Sequence, residues 1–277
     1  MRKIISLVLD VLLLFSMCSC FPIEDSPVIE GEAGEDTSVT CRHILTIEPP
    51  ESLFVAVQGA TFDGEYYYVA FVNNYLPYET AIIVKTDKNG NEVMRSEELP
   101  LDHANSITLL ENGNLMIAHC QSPDEHYYRY SILDKDSFEI IKTEDLDDPF
   151  MSIAYCKEKK CFVSGEWNGD KMNVYNRTFQ PMYSFMVNYI DGSFPQSYYC
   201  DDDAIYAIRC TNDGSFHNYL YIYSYSGETL MEYELDLPRL CEAEAVSVID
   251  GEIYVVCDDY DKCVIYKVTN LINGMFE

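Results

Sequence analysis

Five positions in this 277-residue chain share a spacing that could build one polar site. Gln58, Ser106, Ser152, Gln196 and Glu244 each stand nine residues ahead of an apolar doublet, at Tyr67, Leu115, Cys161, Ile205 and Ile253. Each is polar within an otherwise apolar run. Two chemistries suit such a set: orienting a ligand through hydrogen bonds, or solvating a central channel with ordered water. Acid–base candidates accompany them in Glu166, Glu242, Glu244, Asp258 and Asp259, with His119 and Arg209 as partners. Glycoside hydrolysis needs two opposed carboxylates, and only the last of the five runs is acidic, which counts against it. The single Trp, Trp167, shares the longer loops with Tyr75, Tyr78, Tyr127 and Tyr260. Flat aromatic faces beside amides and carboxylates suit sugar rings; the alternative is packing between repeats. The expected ligand-binding set is Gln58, Gln196 and Glu244 with His119 and Arg209, joined by Glu166, Trp167 and Asp258. No catalytic residue is assigned.

Metal and cofactor chemistry find no pattern. Asp258-Asp-Tyr-Asp261 and Asp201-Asp-Asp203 lack the spacing of a calcium loop. The 11 cysteines include no CxxC, and the histidines are not spaced as ligands. No metal and no cofactor is therefore expected. Cys156 and Cys161 flank one tight turn and Cys257 and Cys263 another loop, which permits disulfides without specifying a framework.

The elements that must position these residues repeat. Successive doublets are separated by 48, 46, 44 and 48 residues. Before each doublet comes an apolar run and a tight polar turn; after it come two further strand-like runs, such as Thr80–Thr86 with Glu92–Glu98 and Tyr127–Leu133 with Phe138–Thr143. The joining segments, Asp87-Lys-Asn-Gly90 and Asp134-Lys-Asp-Ser137, have hairpin composition. Four antiparallel strands at a period of about 40 to 50 residues read as propeller blades. The fifth unit lacks a clear fourth strand, and His43–Ile47 is an orphan run ahead of the first. Placing that run beside Cys263–Val268 would close the ring and remove an open edge. The expectation is an all-β, five-bladed β-propeller over residues 43–277, with four antiparallel strands per blade and the last blade closed by the N-terminal strand. A β-sandwich with coincidental spacing is the alternative, and it would not predict the orphan strand.

Gln58-Gly-Ala-Thr-Phe-Asp-Gly-Glu-Tyr-Tyr-Tyr-Val69 resembles the first-blade pattern of a five-bladed propeller group. That group includes teichoic acid biosynthesis protein C, phage receptor-binding proteins and helveticin-like bacteriocins. Glu242-Ala-Glu-Ala-Val-Ser-Val-Ile-Asp-Gly-Glu-Ile-Tyr254 is similar to its final blade. The resemblance implies recognition of cell-envelope glycopolymers or other surface ligands, without one shared reaction and without a catalytic set to carry over.

The first twenty residues supply an address. Met1-Arg2-Lys3 precedes an apolar run from Ile4 to Met17, broken by Ser6, Asp10 and Ser16. That run is short for a membrane span of roughly 20 residues but suits a secretory signal. Its end, Phe15-Ser-Met-Cys-Ser-Cys20, resembles the lipobox of bacterial lipoproteins, with Cys20 fitting better than Cys18 as the lipidated residue. An ordinary cleaved signal is the alternative. Residues 21–42, rich in Glu, Asp, Pro and Gly, read as a flexible acidic tether. The net charge of −29 disfavours nucleic acid and anionic headgroups as partners. These features describe a monomer in the cell envelope, attached to the membrane by lipid only and exposed outside the cytoplasm. A surface protein that binds a glycan or envelope polymer is preferred over a polymer-acting hydrolase or transferase, with a protein–protein scaffold third.

Overall fold

The computed structural model describes residues 39–73, 79–120, 128–166, 169–211, 216–238, 241–260 and 262–271. The chain divides into two units, Met1–Asp36 and Thr37–Glu277, and every described residue lies in the second. The signal segment with Cys18 and Cys20, most of the tether, and Trp167 lie outside the described residues.

Twenty strands and no helix are formed among the described residues. The first is β1 (Val39–Ile47). A four-stranded sheet follows from β2 (Ala56–Phe62), β3 (Tyr67–Val72), β4 (Ala81–Thr86) and β5 (Glu92–Arg95). The next holds β6 (Ser106–Leu109), β7 (Leu115–Ala118), β8 (Arg129–Leu133) and β9 (Ile140–Asp145). A third comprises β10 (Ser152–Cys156), β11 (Cys161–Gly165), β12 (Lys171–Asn176) and β13 (Pro181–Met186). The remaining strands are β14 (Ser193–Cys200), β15 (Ile205–Thr211), β16 (Asn218–Tyr223), β17 (Thr229–Asp236), β18 (Glu242–Ile249), β19 (Glu252–Asp258) and β20 (Cys263–Thr269). With β1 they make one eight-stranded sheet in the order β14-β15-β16-β17-β1-β20-β19-β18.

That large sheet has a thin seam. β1 runs antiparallel to β20 from Thr40↔Thr269 to Ile47↔Cys263, whereas it meets β17 in parallel only through Val39↔Leu235 and Thr40↔Asp236. The strand expected over 43–47 begins at Val39, so residues 39–42 of the expected tether are strand. Val39 and Cys41 are buried with Leu235 and Val268, which is the apolar gain that orders them.

Burial explains the sequence pattern. Every residue of β3 and β4 is buried, while β5, β9 and β13 are mostly exposed. Strands covered on both faces read as continuous apolar runs rather than alternating ones. Five apolar clusters fill the spaces between successive sets of strands. The one containing Ile47, Val69 and Phe71 also takes in Ala245, Val256 and Ile265, so the last set packs on the first. The first strands likewise neighbour one another in a closed order, β2 to β6 to β10 to β14 to β18 and back to β2. The architecture is all-β and β-propeller-like.

The hairpins between third and fourth strands repeat one feature. Each places a residue at positive φ: Gly90 at 82°, Phe138 at 59°, Phe179 at 58° and Gly227 at 89°. Backbone decides between glycine and phenylalanine. A Cβ on Gly227 would lie 2.6 Å from the Met186 carbonyl oxygen, so no side chain fits. Phe138 instead meets Tyr68 edge-on at 6.4 Å, and Phe179 stacks on Phe162 at 4.2 Å. That packing offsets a left-handed backbone cost of about 1–2 kcal/mol. Phe138, expected to start a strand, belongs to this turn, and β9 begins two residues later.

Candidate functional site

The five polar positions found by spacing all fall on the ring of first strands, and they divide by backbone register. Ser106 pairs regularly with Ala118, and Ser152 with Gly165. Their hydroxyls stitch one first strand to the next: Ser106 Oγ accepts from Ile153 N at 3.1 Å and Ser152 Oγ accepts from Tyr198 N at 3.2 Å. Thr108 Oγ1 repeats the bridge to Tyr155 N at 2.9 Å. Asn105 Nδ2 donates to the carbonyls of Met151 and, across the ring, of Gln196.

The other three positions sit where the ladder slips. Register shifts fall between Val57 and Ala60, between Pro195 and Ser197, and between Ala243 and Ala245. Each inserts one extra residue, so Gln196 and Glu244 are bulge residues, as is the pair Gln58-Gly59. A bulge re-aims its side chain away from the ladder. Gly59 has a structural reason of its own: a Cβ there would lie 2.7 Å from the Ala104 carbonyl oxygen.

Carboxylates gather at the third bulge. Glu242 is the register partner of Asp258 and accepts a 2.5 Å hydrogen bond from Gln196 Nε2. Glu244 is 1 % exposed, and its Oε2 has no hydrogen-bond partner among the described residues. Burial pushes the Glu244 carboxyl well above the usual range, and the nearby charges of Glu242 and Asp258 add to the effect. Burial also raises Glu242, partly offset by His103 and by the Gln196 amide. His103 Nδ1 in turn lies 2.9 Å from Glu79 Oε2, and both side chains are partly exposed. The result is a polar group of two hydrogen-bonded pairs, Glu79–His103 and Glu242–Gln196, with the buried Glu244 carboxyl, its pKa raised, beside it. Such a group can both donate to and accept from the hydroxyls of an uncharged ligand.

The remaining expected residues have other neighbours. His119 bridges Asp102 Oδ2 and Ser131 Oγ, each at 2.8 Å, and Ser131 continues to Thr143 at 2.7 Å. The order matches a Ser–His–Asp relay, yet the buried Ser131 hydroxyl is already engaged by both His119 and Thr143. The relay instead ties β7, β8 and β9 to the loop before β6. Arg209 is 1 % exposed: it donates to Ser193 Oγ, the Ser193 carbonyl and the Gly169 carbonyl, and lies 3.7 Å over the Tyr189 ring. Glu166 pairs with Lys171 at 2.8 Å. Asp258 belongs to the carboxylate group, and Asp259 is buried next to it in the chain. Asp201, Asp202 and Asp203 have carboxylates within 4.8 Å of one another, and Asp201 Oδ1 accepts from Asp203 N and Ala204 N, so the acidic run builds its own turn.

Glu242, Glu244 and Asp258 come from one sheet, on β18 and β19; glycosidases need two carboxylates on opposite sides of a bond. Spacing alone did not point to Glu79, in the connection from β3 to β4, or to His103 and Asn105, between the first and second sheets; the period gives no register in such connections. Two clefts lie elsewhere. One of about 260 Å³ is lined by Tyr130, Glu144, Asp147, Asp148 and Tyr175, and one of about 500 Å³ by His43, Glu48, Asp259, Lys262 and Tyr266.

The sequence matches no protein-family profile and no curated protein sequence. Solved structures do resemble it. The tail fiber of Staphylococcus aureus phage P68 superposes with a TM-score of 0.59 at 12% identity, covering 84% of this chain and 53% of that one. The likeness is one of fold. The chain thus spans about half the length of that tail fiber chain. A streptogramin B lyase (TM-score 0.47, 11% identity, 81% of this chain and 97% of that chain) and Kuenenia stuttgartiensis hydrazine synthase (0.44, 12%, 83% and 59%) are more distant.

Proposed function

We propose that this chain is an exported, Cys20-lipidated surface protein whose five-bladed propeller binds a glycan or envelope polymer through the face bearing Gln58, Gln196 and Glu244. The five-blade reading rests on the closed order of first strands and on the cluster that joins β1, β18 and β20 to the first sheet. The thin seam between β17 and β1 divides the eight-stranded sheet into two sets of four. The binding reading rests on one observation above all: Glu244 Oε2, buried and unpartnered among the described residues, beside the Gln196–Glu242 pair. A buried polar atom left unsatisfied costs about 1–3 kcal/mol, and an arriving hydroxyl would recover that loss. Similarity to a phage tail fiber agrees with a surface-binding role for the fold and carries no ligand with it.

The test is a glycan and wall-polymer binding screen on the purified protein with turnover followed in parallel. Binding without product is expected, and Gln196→Ala or Trp167→Ala should weaken it by roughly tenfold or more. Unchanged affinity in both variants, with folding intact, contradicts the assignment of this face. Mass spectrometry of the exported N-terminus checks the lipid on Cys20, and an unmodified end beyond that residue refutes it.

A further inference from the structure

Away from that face, three thiols meet at the end of the β10–β11 hairpin. Cys156 and Cys161 are direct register partners, the last pair before an exposed turn of Lys157, Glu158, Lys159 and Lys160. Cys200, at the end of β14, belongs to the next set of strands and packs in the same cluster. Both Cys161 and Cys200 hydrogen bond to the Cys156 sulfur. Lys159 N also donates to that sulfur at 3.3 Å, and as a thiol Cys156 donates to the Asp201 carbonyl at 3.1 Å. One sulfur is thus within reach of two others.

The three are not equivalent. Donors converge on Cys156, from Cys161, Cys200 and the Lys159 amide, and this lowers its pKa. Burial and the neighbouring sulfur hold Cys161 and Cys200 up. The turn above carries Lys157, Lys159 and Lys160 together with Glu158. By contrast, in the second group of thiols, Cys257 hydrogen bonds to Cys241 while burial raises both Cys257 and Cys41, and no lysine-rich turn covers them.

Cys156 is fully buried and Cys161 and Cys200 nearly so, beneath the exposed turn of residues 157–160. We propose that Cys156 is a redox-active thiol that, when this turn opens locally, closes to a disulfide with either Cys161 or Cys200 by exchange with a small-molecule disulfide. The Cys156 thiolate attacks one sulfur of the small disulfide, forming a mixed disulfide and releasing one thiolate. The Cys161 or Cys200 sulfur then attacks Cys156 Sγ, expelling the second thiolate. The two protons leave with the two released thiols, so one disulfide is reduced and one pair of protein thiols is oxidised. Closure on Cys161 staples only the hairpin. Closure on Cys200 bonds β10 covalently to β14, in the next set of strands.

The experiment is oxidation of the full-length native protein with oxidised glutathione, followed by acid quenching, alkylation and peptide mapping. The expected product is an internal disulfide that contains Cys156, paired with Cys161 or Cys200. Cys161→Ser should direct it to Cys200, and Cys200→Ser should direct it to Cys161. Cys156→Ser should leave both partners alkylatable. Mapping of the unsubstituted chain needs no variant to fold. Recovery of Cys156 as a free, alkylated thiol after oxidation overturns the proposal, as does a Cys161–Cys200 bond formed to the same extent without Cys156.

Discussion

On β6 and β10 the polar residue of the repeat is a serine in regular register, and its hydroxyl is consumed in holding the next first strand. On β14, β18 and β2, which follow one another around the ring, the same position is Gln or Glu at a bulge. The stitched arc turns polarity into strand-to-strand bonds. The bulged arc leaves longer side chains off the ladder, where Gln196 meets Glu242 and Glu244 keeps an unpartnered oxygen. The contrast teaches that one spacing in the sequence serves two purposes, and that backbone register separates them.

The largest effect should come where a bulge meets the stitched arc. Gly59→Ala puts a Cβ within 3 Å of the backbone of Ala104, Ser106 and Ile107, all of it backbone that cannot rotate away. A loss of about 3 kcal/mol in chemical denaturation is expected; a neutral result would mean the β2–β6 approach is looser than described. Asn105→Ala should follow at about 2 kcal/mol, since it strips hydrogen bonds from two buried carbonyls. Ser106→Ala leaves one buried N–H unpaired and should cost about 1–2 kcal/mol, with no dependence on pH.

The bulged arc should differ in kind, by responding to pH. Glu244 has a folded pKa well above its unfolded value near 4.5. Its favourable contribution is therefore complete below pH 4.5 and is lost as pH rises through the folded pKa. Glu244→Gln should flatten that decline and leave the protein at least as stable as wild type at pH 8. A wild-type profile with no decline in this range would show that Glu244 is not held neutral. The opposite sign belongs to Asp63, in the β2–β3 turn, where burial is outweighed by the Tyr66 and Glu65 amides, Lys135 and Tyr68, taking its pKa down to about 2. Its contribution is present above pH 4 and fades as pH falls toward 2, so Asp63→Asn should lower stability above pH 4 and converge on wild type in acid, the smallest of these effects.

The period and the polar turns were legible because each set of strands repeats one burial problem. Continuous apolar runs such as Tyr67–Val72 announce strands covered on both faces, and the orphan run before the first repeat announced the pairing of β1 with β20. Register was not legible. The sequences around Ser106 and Gln196 do not differ in any way that marks the second as bulged, because a bulge depends on the approach of the neighbouring strand. Long-range partners were equally hidden. His119 and Arg209 read as ligand-facing groups, yet their neighbours Asp102, Ser131, Ser193 and Gly169 bury them. Residues 1–38 rest on the sequence reading of a lipobox and tether.

The central claim, that the bulged arc binds and the stitched arc only holds, is tested most directly by calorimetric titration of one glycan or wall-polymer ligand into wild type, Gln196→Ala and Ser106→Ala. The account predicts at least a roughly tenfold loss of affinity for Gln196→Ala, and wild-type affinity for folded Ser106→Ala. Equal affinity in all three proteins, or a loss confined to Ser106→Ala, would contradict it.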